Sequence, residues 1–268
     1  MSEIDQLLKI MARLRDPQTG CPWDKAQSFG SIVPYTIEEA YEVADAIERG
    51  AMEDLREELG DLLFQVVFYA QIAHEAGLFE FTDIVKTIID KLVRRHPHVF
   101  GNEHIESAQA QSEAWEQHKE KERKSKARSQ LQHPSLLDGI PVTLPALSRA
   151  VKLHRRAATV GFDWEKIHDV MDKVHEEVDE IHHEIKAGSD QERMTDEIGD
   201  LLFVTTILAR HASIDPELAL RYANAKFERR FRRVEKILSE QGRSLDEATL
   251  DEMDYVWDQV KEEERSGK

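Results

Sequence analysis

An internal duplication constrains this chain more than any other feature. YTIEEAYEVADAI, from Tyr35, aligns with KVHEEVDEIHHEI, from Lys173. REELGDLLFQVV, from Arg56, aligns with TDEIGDLLFVTT, from Thr195, and DKLVRRHPHV, from Asp90, with AKFERRFRRV, from Ala225. The tryptophans fall into two matched pairs: Trp115 follows Trp23 by 92 residues, and Trp257 follows Trp164 by 93. Offsets between the copies stay between about 135 and 142 residues, so one module is used twice. Pro134, Pro141 and Pro145 interrupt the helical periodicity between the copies. The expected division is a first module over 1–124, a proline-containing linker over 125–145 and a second module over 146–268.

Within each copy apolar residues recur at helical spacing, strand alternation is weak, and Gly50 and Gly188 stand at turns. LLFQVVFYAQIA and LLFVTTILA are apolar nearly all round, which places them at the centre of a bundle. A module of about 100 residues has too few other helices to cover such a segment. The expectation is an all-α fold, a tandem repeat of two helical modules whose bundles are completed by dimerisation. The final EEERSGK reads as a fraying helix end.

The chemistry lies beside these apolar segments. Glu177 and Glu180 are three apart, as are Glu197 and Asp200 on the next helix. Glu180 and Glu197 each lie about 8.5 residues from the centre of the Gly188–Ser189 turn, and Glu177 and Asp200 about 11.5. Antiparallel helices with equal rise bring these acids to two matching depths. The first copy repeats the pattern with Glu39 and Glu42 opposite Glu58 and Asp61, about Gly50. Four converging carboxylates cannot all stay ionised unaided: some protonate or a cation enters. An all-oxygen set favours a hard divalent ion, Mg²⁺ first and Mn²⁺ as a substitute.

Composition limits the partners. The balance of 53 acidic and 36 basic residues gives a net charge of −17, unsuited to holding DNA or RNA or an anionic membrane by its overall field. There is no apolar run of spanning length, and MSEIDQLLKIMARLRD lacks a signal-peptide core, so a cytoplasmic location is expected. The single cysteine, Cys21, forms no internal disulfide. Against that acidic background KFERRFRR, with Lys226 and Arg230 on one helical face and Arg229 beside them, suits a polyphosphate. Trp257 is placed either to stack on a base or to fill a core. A di-iron bundle would need further Glu-x-x-His motifs, and only Glu180-x-x-His183 matches. A scaffold of acidic helices explains the charge but not acids and bases repeating at matched positions.

EEVDE…DEIGDLLF, preceded by GFDW and followed by KFERRF and VWDQVK, resembles the MazG family of nucleoside triphosphate pyrophosphohydrolases in its two-module form. The resemblance implies an all-α, Mg²⁺-dependent dimer that cleaves NTPs and dNTPs between the α- and β-phosphates, giving a monophosphate and pyrophosphate. It implies Glu177, Glu180, Glu197 and Asp200 as the catalytic metal ligands, with Glu39, Glu42, Glu58 and Asp61 a weaker second set. Lys173, Glu176, Asp196, Lys226, Arg230 and Trp257 are implied nucleotide contacts, together with Glu177 and Asp200, and Arg193 and Arg229 are neighbours.

The copies are expected to differ in activity, the second doing most of the hydrolysis. Tyr35 stands where the second copy has Lys173. Lys91, Arg94 and Arg95 match Lys226, Arg229 and Arg230, but Pro97 ends the first copy's basic helix early.

Overall fold

The computed structural model describes residues 2–101, 107 and 135–267. Trp115, and the 125–134 part of the expected linker with Pro134, lie outside the described residues. Among the described residues there are eleven α-helices, one 3₁₀ turn and no β-strand. The chain divides into two units, Met1–Gln130 and Leu131–Lys268.

The first unit contains α1 (Glu3–Leu14), α2 (Pro22–Ala26), α3 (Phe29–Arg49), α4 (Met52–Glu75), α5 (Phe81–Arg95) and α6 (Pro97–Phe100). Its backbone is an antiparallel α3–α4 hairpin with α1 packed on α4. A reciprocal capping box starts α3: Ser28 Oγ accepts the Ser31 N–H, and Ser31 Oγ accepts the Ser28 N–H. Gly50 ends it at φ 68°, a left-handed conformation that suits a residue without Cβ. Met11, Ile32, Val67, Phe68 and Ile72 form the core across α1, α3 and α4. Arg15 closes its edge, with Nη2 2.7 Å from Glu75 and further donation to the Asp24 and Gln27 carbonyls. Cys21 is a free cysteine at the N-cap of α2.

The second unit contains α7 (Ala146–Ala158), α8 (Ile167–Ala187), α9 (Gln191–His211), α10 (Pro216–Glu240), a 3₁₀ turn (Leu245–Glu247) and α11 (Leu250–Arg265). The α8–α9 hairpin repeats α3–α4, down to a 21-residue first helix and a left-handed glycine, Gly188 at φ 67°. Its turn is one residue longer, and the added Asp190 caps α9 by accepting the Arg193 N–H at 3.0 Å. Val170, Val204 and Ile207 form the hairpin core, and α7 packs on α9. Asp163, from the GFDW segment, binds Arg210 at 2.6 Å and His211 at 3.1 Å, tying the entry of α8 to the end of α9. A second cluster, Val234, Leu238, Val256 and Val260, joins α10 to α11.

The fold is all-α and built from tandem helical modules, as the duplication predicts. The last helix runs to Arg265, and in its final turns Glu263 pairs with Arg233 and Glu264 with both Arg229 and Arg230.

Candidate metal and nucleotide site

The α8–α9 hairpin brings one carboxylate oxygen each from Glu177, Glu197 and Asp200 within 4.8 Å of one another. Equal rise on two antiparallel helices accounts for this meeting of residues some 20 apart in sequence. Glu180 stands beside the trio. Burial raises its carboxyl above the ordinary range, and the negative charges of Glu177 and Glu197 push the same way. Glu177 is buried, and its Oε2 has no hydrogen-bond partner among the described residues. A buried carboxylate oxygen without a donor costs free energy, and a divalent cation within the trio would satisfy it. The donor set is all oxygen, so it fits a hard ion.

Lys173 sits one turn earlier on α8. Its Nζ is 2.8 Å from both Glu176 and Glu177, and hydrogen bonds to these two carboxylates hold the ammonium well above the usual lysine range. Asp196 is exposed on α9, next to Glu197. A cavity of about 640 Å³ opens along this face, lined in part by Glu176, Glu180, Glu184, Arg193 and Glu197. His183 also lines it but does not join the acid trio.

The basic residues of α10 form a separate group. Arg229 and Arg230 pair with Glu264 of α11 at 2.9 and 2.8 Å, and the Arg230 guanidinium lies 5.9 Å from the Trp257 ring centre. Trp257 packs beside the α10–α11 core and meets Phe227 at 5.3 Å, so its helical spacing is explained by packing. Lys226 is exposed and has no ion pair among the described residues. The pairing partners of these arginines come from α11, not from the acid hairpin.

In the first module the trio is Glu39, Glu42 and Glu58, with Asp61 alongside. Burial and then the charges of Asp61 and Glu42 raise the Glu39 carboxyl; burial and then Glu42 raise Glu58. Tyr35 stands at the position equivalent to Lys173. Gln65 instead donates from Nε2 to Glu39 at 3.3 Å. The basic helix α5 stops at Arg95, where His96 leaves helical geometry ahead of Pro97, whereas α10 runs on to Glu240.

Two site features escaped the sequence reading. Gln65 sits where the second copy has Val204, inside a stretch that reads as apolar core. Glu184 is a buried acid whose Oε1 lies 3.2 Å from Arg193. Counting one more turn inward from Glu180 and Glu197 would have found that pair.

The family model of the MazG nucleotide pyrophosphohydrolase domain matches the chain twice, over residues 27–100 and 165–234. The chain is 55% identical over 265 residues to a nucleoside triphosphate pyrophosphohydrolase of Escherichia coli strain K12, covering 98% of this chain and 99% of that protein. It is 40% identical to a nucleoside triphosphate pyrophosphohydrolase/pyrophosphatase MazG of Thermotoga maritima, over 96% of this chain and 95% of the relative. It is also 41% identical to the YabN protein of Bacillus subtilis, over 98% of this chain and 52% of that longer protein. With both matched segments containing an acid hairpin of the same build, the chain belongs to the MazG nucleotide pyrophosphohydrolase family.

Proposed function

We propose that this protein is a Mg²⁺-dependent nucleoside triphosphate pyrophosphohydrolase acting on NTPs and dNTPs in the cytoplasm, with the second module as its main catalytic unit. The observation that carries the reading is the trio of Glu177, Glu197 and Asp200, with the partnerless buried oxygen of Glu177 among them. The relatives' names give the substrate class.

Glu177, Glu180, Glu197 and Asp200 would hold Mg²⁺, with Mn²⁺ as a substitute. When bound, the ion supplies Lewis-acid polarisation of the phosphoryl oxygens and offsets the repulsion between an acid cage and a polyanion. Lys173, one turn from Glu177, supplies a fixed positive charge at the edge of that cage. Water attacks the α-phosphorus and the bond to the bridging oxygen breaks. The products are a nucleoside monophosphate and pyrophosphate. Lys226 and Arg230 stabilise the charge that develops on the departing pyrophosphate. In the structure Arg230 is paired with Glu264 of α11 at 2.8 Å.

The protein is proposed to work as a homodimer. Leu59 and Leu63 on α4, and Ile198 and Leu202 on α9, are large apolar side chains left exposed on the two acid-bearing hairpins. A second copy would cover them. No described helix is long and apolar enough to cross a membrane.

The test is product analysis. Incubation with ATP and Mg²⁺ should give AMP and pyrophosphate in equal amounts, and EDTA should stop the reaction. ADP and phosphate as products would contradict the reading, as would full activity in EDTA.

A further inference from the structure

The second hairpin has a third rung. Glu177 and Asp200 form the deepest, Glu180 and Glu197 the next, and Glu184 lies opposite Arg193 at equal distance from the turn. Here the acid faces a guanidinium, with Arg193 Nη2 3.2 Å from Glu184 Oε1. The pair is lopsided: the Glu184 side chain is 8% exposed and that of Arg193 65%. One edge of the guanidinium is anchored inside the hairpin, while other N–H donors remain free to bind. The Asp190 cap fixes the backbone of Arg193 as well.

The fold does not require this pair. The matching rung of the first module has Ala46 opposite Asp54, and Asp54 turns to Arg49 at 2.8 Å. That hairpin buries Ala46 at this rung and keeps its Arg49–Asp54 ion pair half-exposed at the turn. A buried carboxylate adds little stability by itself, because desolvation offsets the attraction of its partner. Its placement in only one module therefore asks for another reason. Among the described residues lining the 640 Å³ cavity, Arg193 is the one lysine or arginine, against acids that include Glu176, Glu180 and Glu197.

We propose that Glu184 is a positioning residue, holding Arg193 at the hairpin end of the cavity to bind the triphosphate chain of the substrate; this rests on the function proposed above. Glu184 touches no substrate itself. It keeps the guanidinium from collapsing onto Glu180 and Glu197, and so leaves those carboxylates open for the metal.

The test compares Glu184→Gln, Arg193→Gln and the double variant in the full chain. The probes are a non-hydrolysable ATP analogue with Mg²⁺, and AMP, both titrated calorimetrically, together with steady-state kinetics on ATP. Each single variant should weaken analogue binding and raise KM by about tenfold, the scale of one lost hydrogen bond to a charged group. The kcat should stay within about twofold of wild type, AMP affinity should be unchanged, and the double variant should be no worse than Arg193→Gln alone. Unchanged analogue affinity in Arg193→Gln overturns the proposal even if Glu184→Gln folds poorly. Additive losses in the double variant overturn it too, as does an equal loss for AMP. A wild type that binds no triphosphate overturns both this proposal and the functional reading. A wild type that binds it, with Glu184→Gln unaffected, overturns this proposal alone.

Discussion

Lys173 Nζ lies 2.8 Å from Glu177 Oε1, whereas Tyr35, at the equivalent position of the first module, sets its ring edge-on to Trp23 with centroids 5.7 Å apart. One substitution between the copies thus separates a charged contact at the acid cage from an aromatic contact between side chains. The acids are shared by both modules; the cation beside them is not.

Replacing Lys173 with Met removes that charge while keeping most of the aliphatic stem. The kcat/KM should fall by about 10- to 100-fold, the range for one hydrogen bond to a charged group. Far-ultraviolet circular dichroism should be unchanged. Kinetics within twofold of wild type would show that Lys173 serves only to neutralise Glu176 and Glu177.

The α10–α11 pair carries a separate pH signature. The Glu252 carboxyl is lowered to about 2 by hydrogen bonds from Arg243 and from the Thr249 backbone and hydroxyl. Its folded pKa lies below the ordinary value of 4.5, so its contribution to stability is complete above that value and is lost as the pH falls towards about 2. Glu252→Gln should lower stability at pH 7 and the deficit should shrink steadily below pH 4.5. Urea melts of both proteins across that range check this; a deficit independent of pH would contradict it.

The exposed leucines of α4 and α9 predict the assembly state. Light scattering should give roughly twice the chain mass of 30.9 kDa at micromolar concentration. Leu202→Glu, which places a charge on the uncovered face of α9, should shift the protein towards the single-chain mass. Wild type at 30.9 kDa would contradict the dimer.

The hairpins were legible because two regularities act together. Helical rise fixes depth, and the left-handed glycines Gly50 and Gly188 fix where each hairpin turns, so Glu42 with Glu58 and Glu180 with Glu197 could be paired by counting. Counting cannot say which three of four acids come closest. The structure selects Glu177, Glu197 and Asp200 in one module but Glu39, Glu42 and Glu58 in the other, a matter of side-chain rotamers. The ion pairs of the C-terminal turn were missed for another reason. A run of glutamates reads as solvated unless its partners are known, and Arg229, Arg230 and Arg233 lie about 30 residues upstream. Gln65 was hidden because a buried amide and a buried valine occupy the same phase of an apolar helix.

The most direct measurement of the central claim, that the second module's acid cage does the hydrolysis, compares two matched substitutions in the full-length chain. Glu197→Gln and Glu58→Gln remove the same charge from equivalent positions of the two hairpins. Pyrophosphate release from ATP with saturating Mg²⁺ should fall by at least about 100-fold in Glu197→Gln, the scale expected for loss of a metal ligand. It should stay within about threefold of wild type in Glu58→Gln, with both variants folded. Equal losses, or the larger loss in Glu58→Gln, would contradict the account.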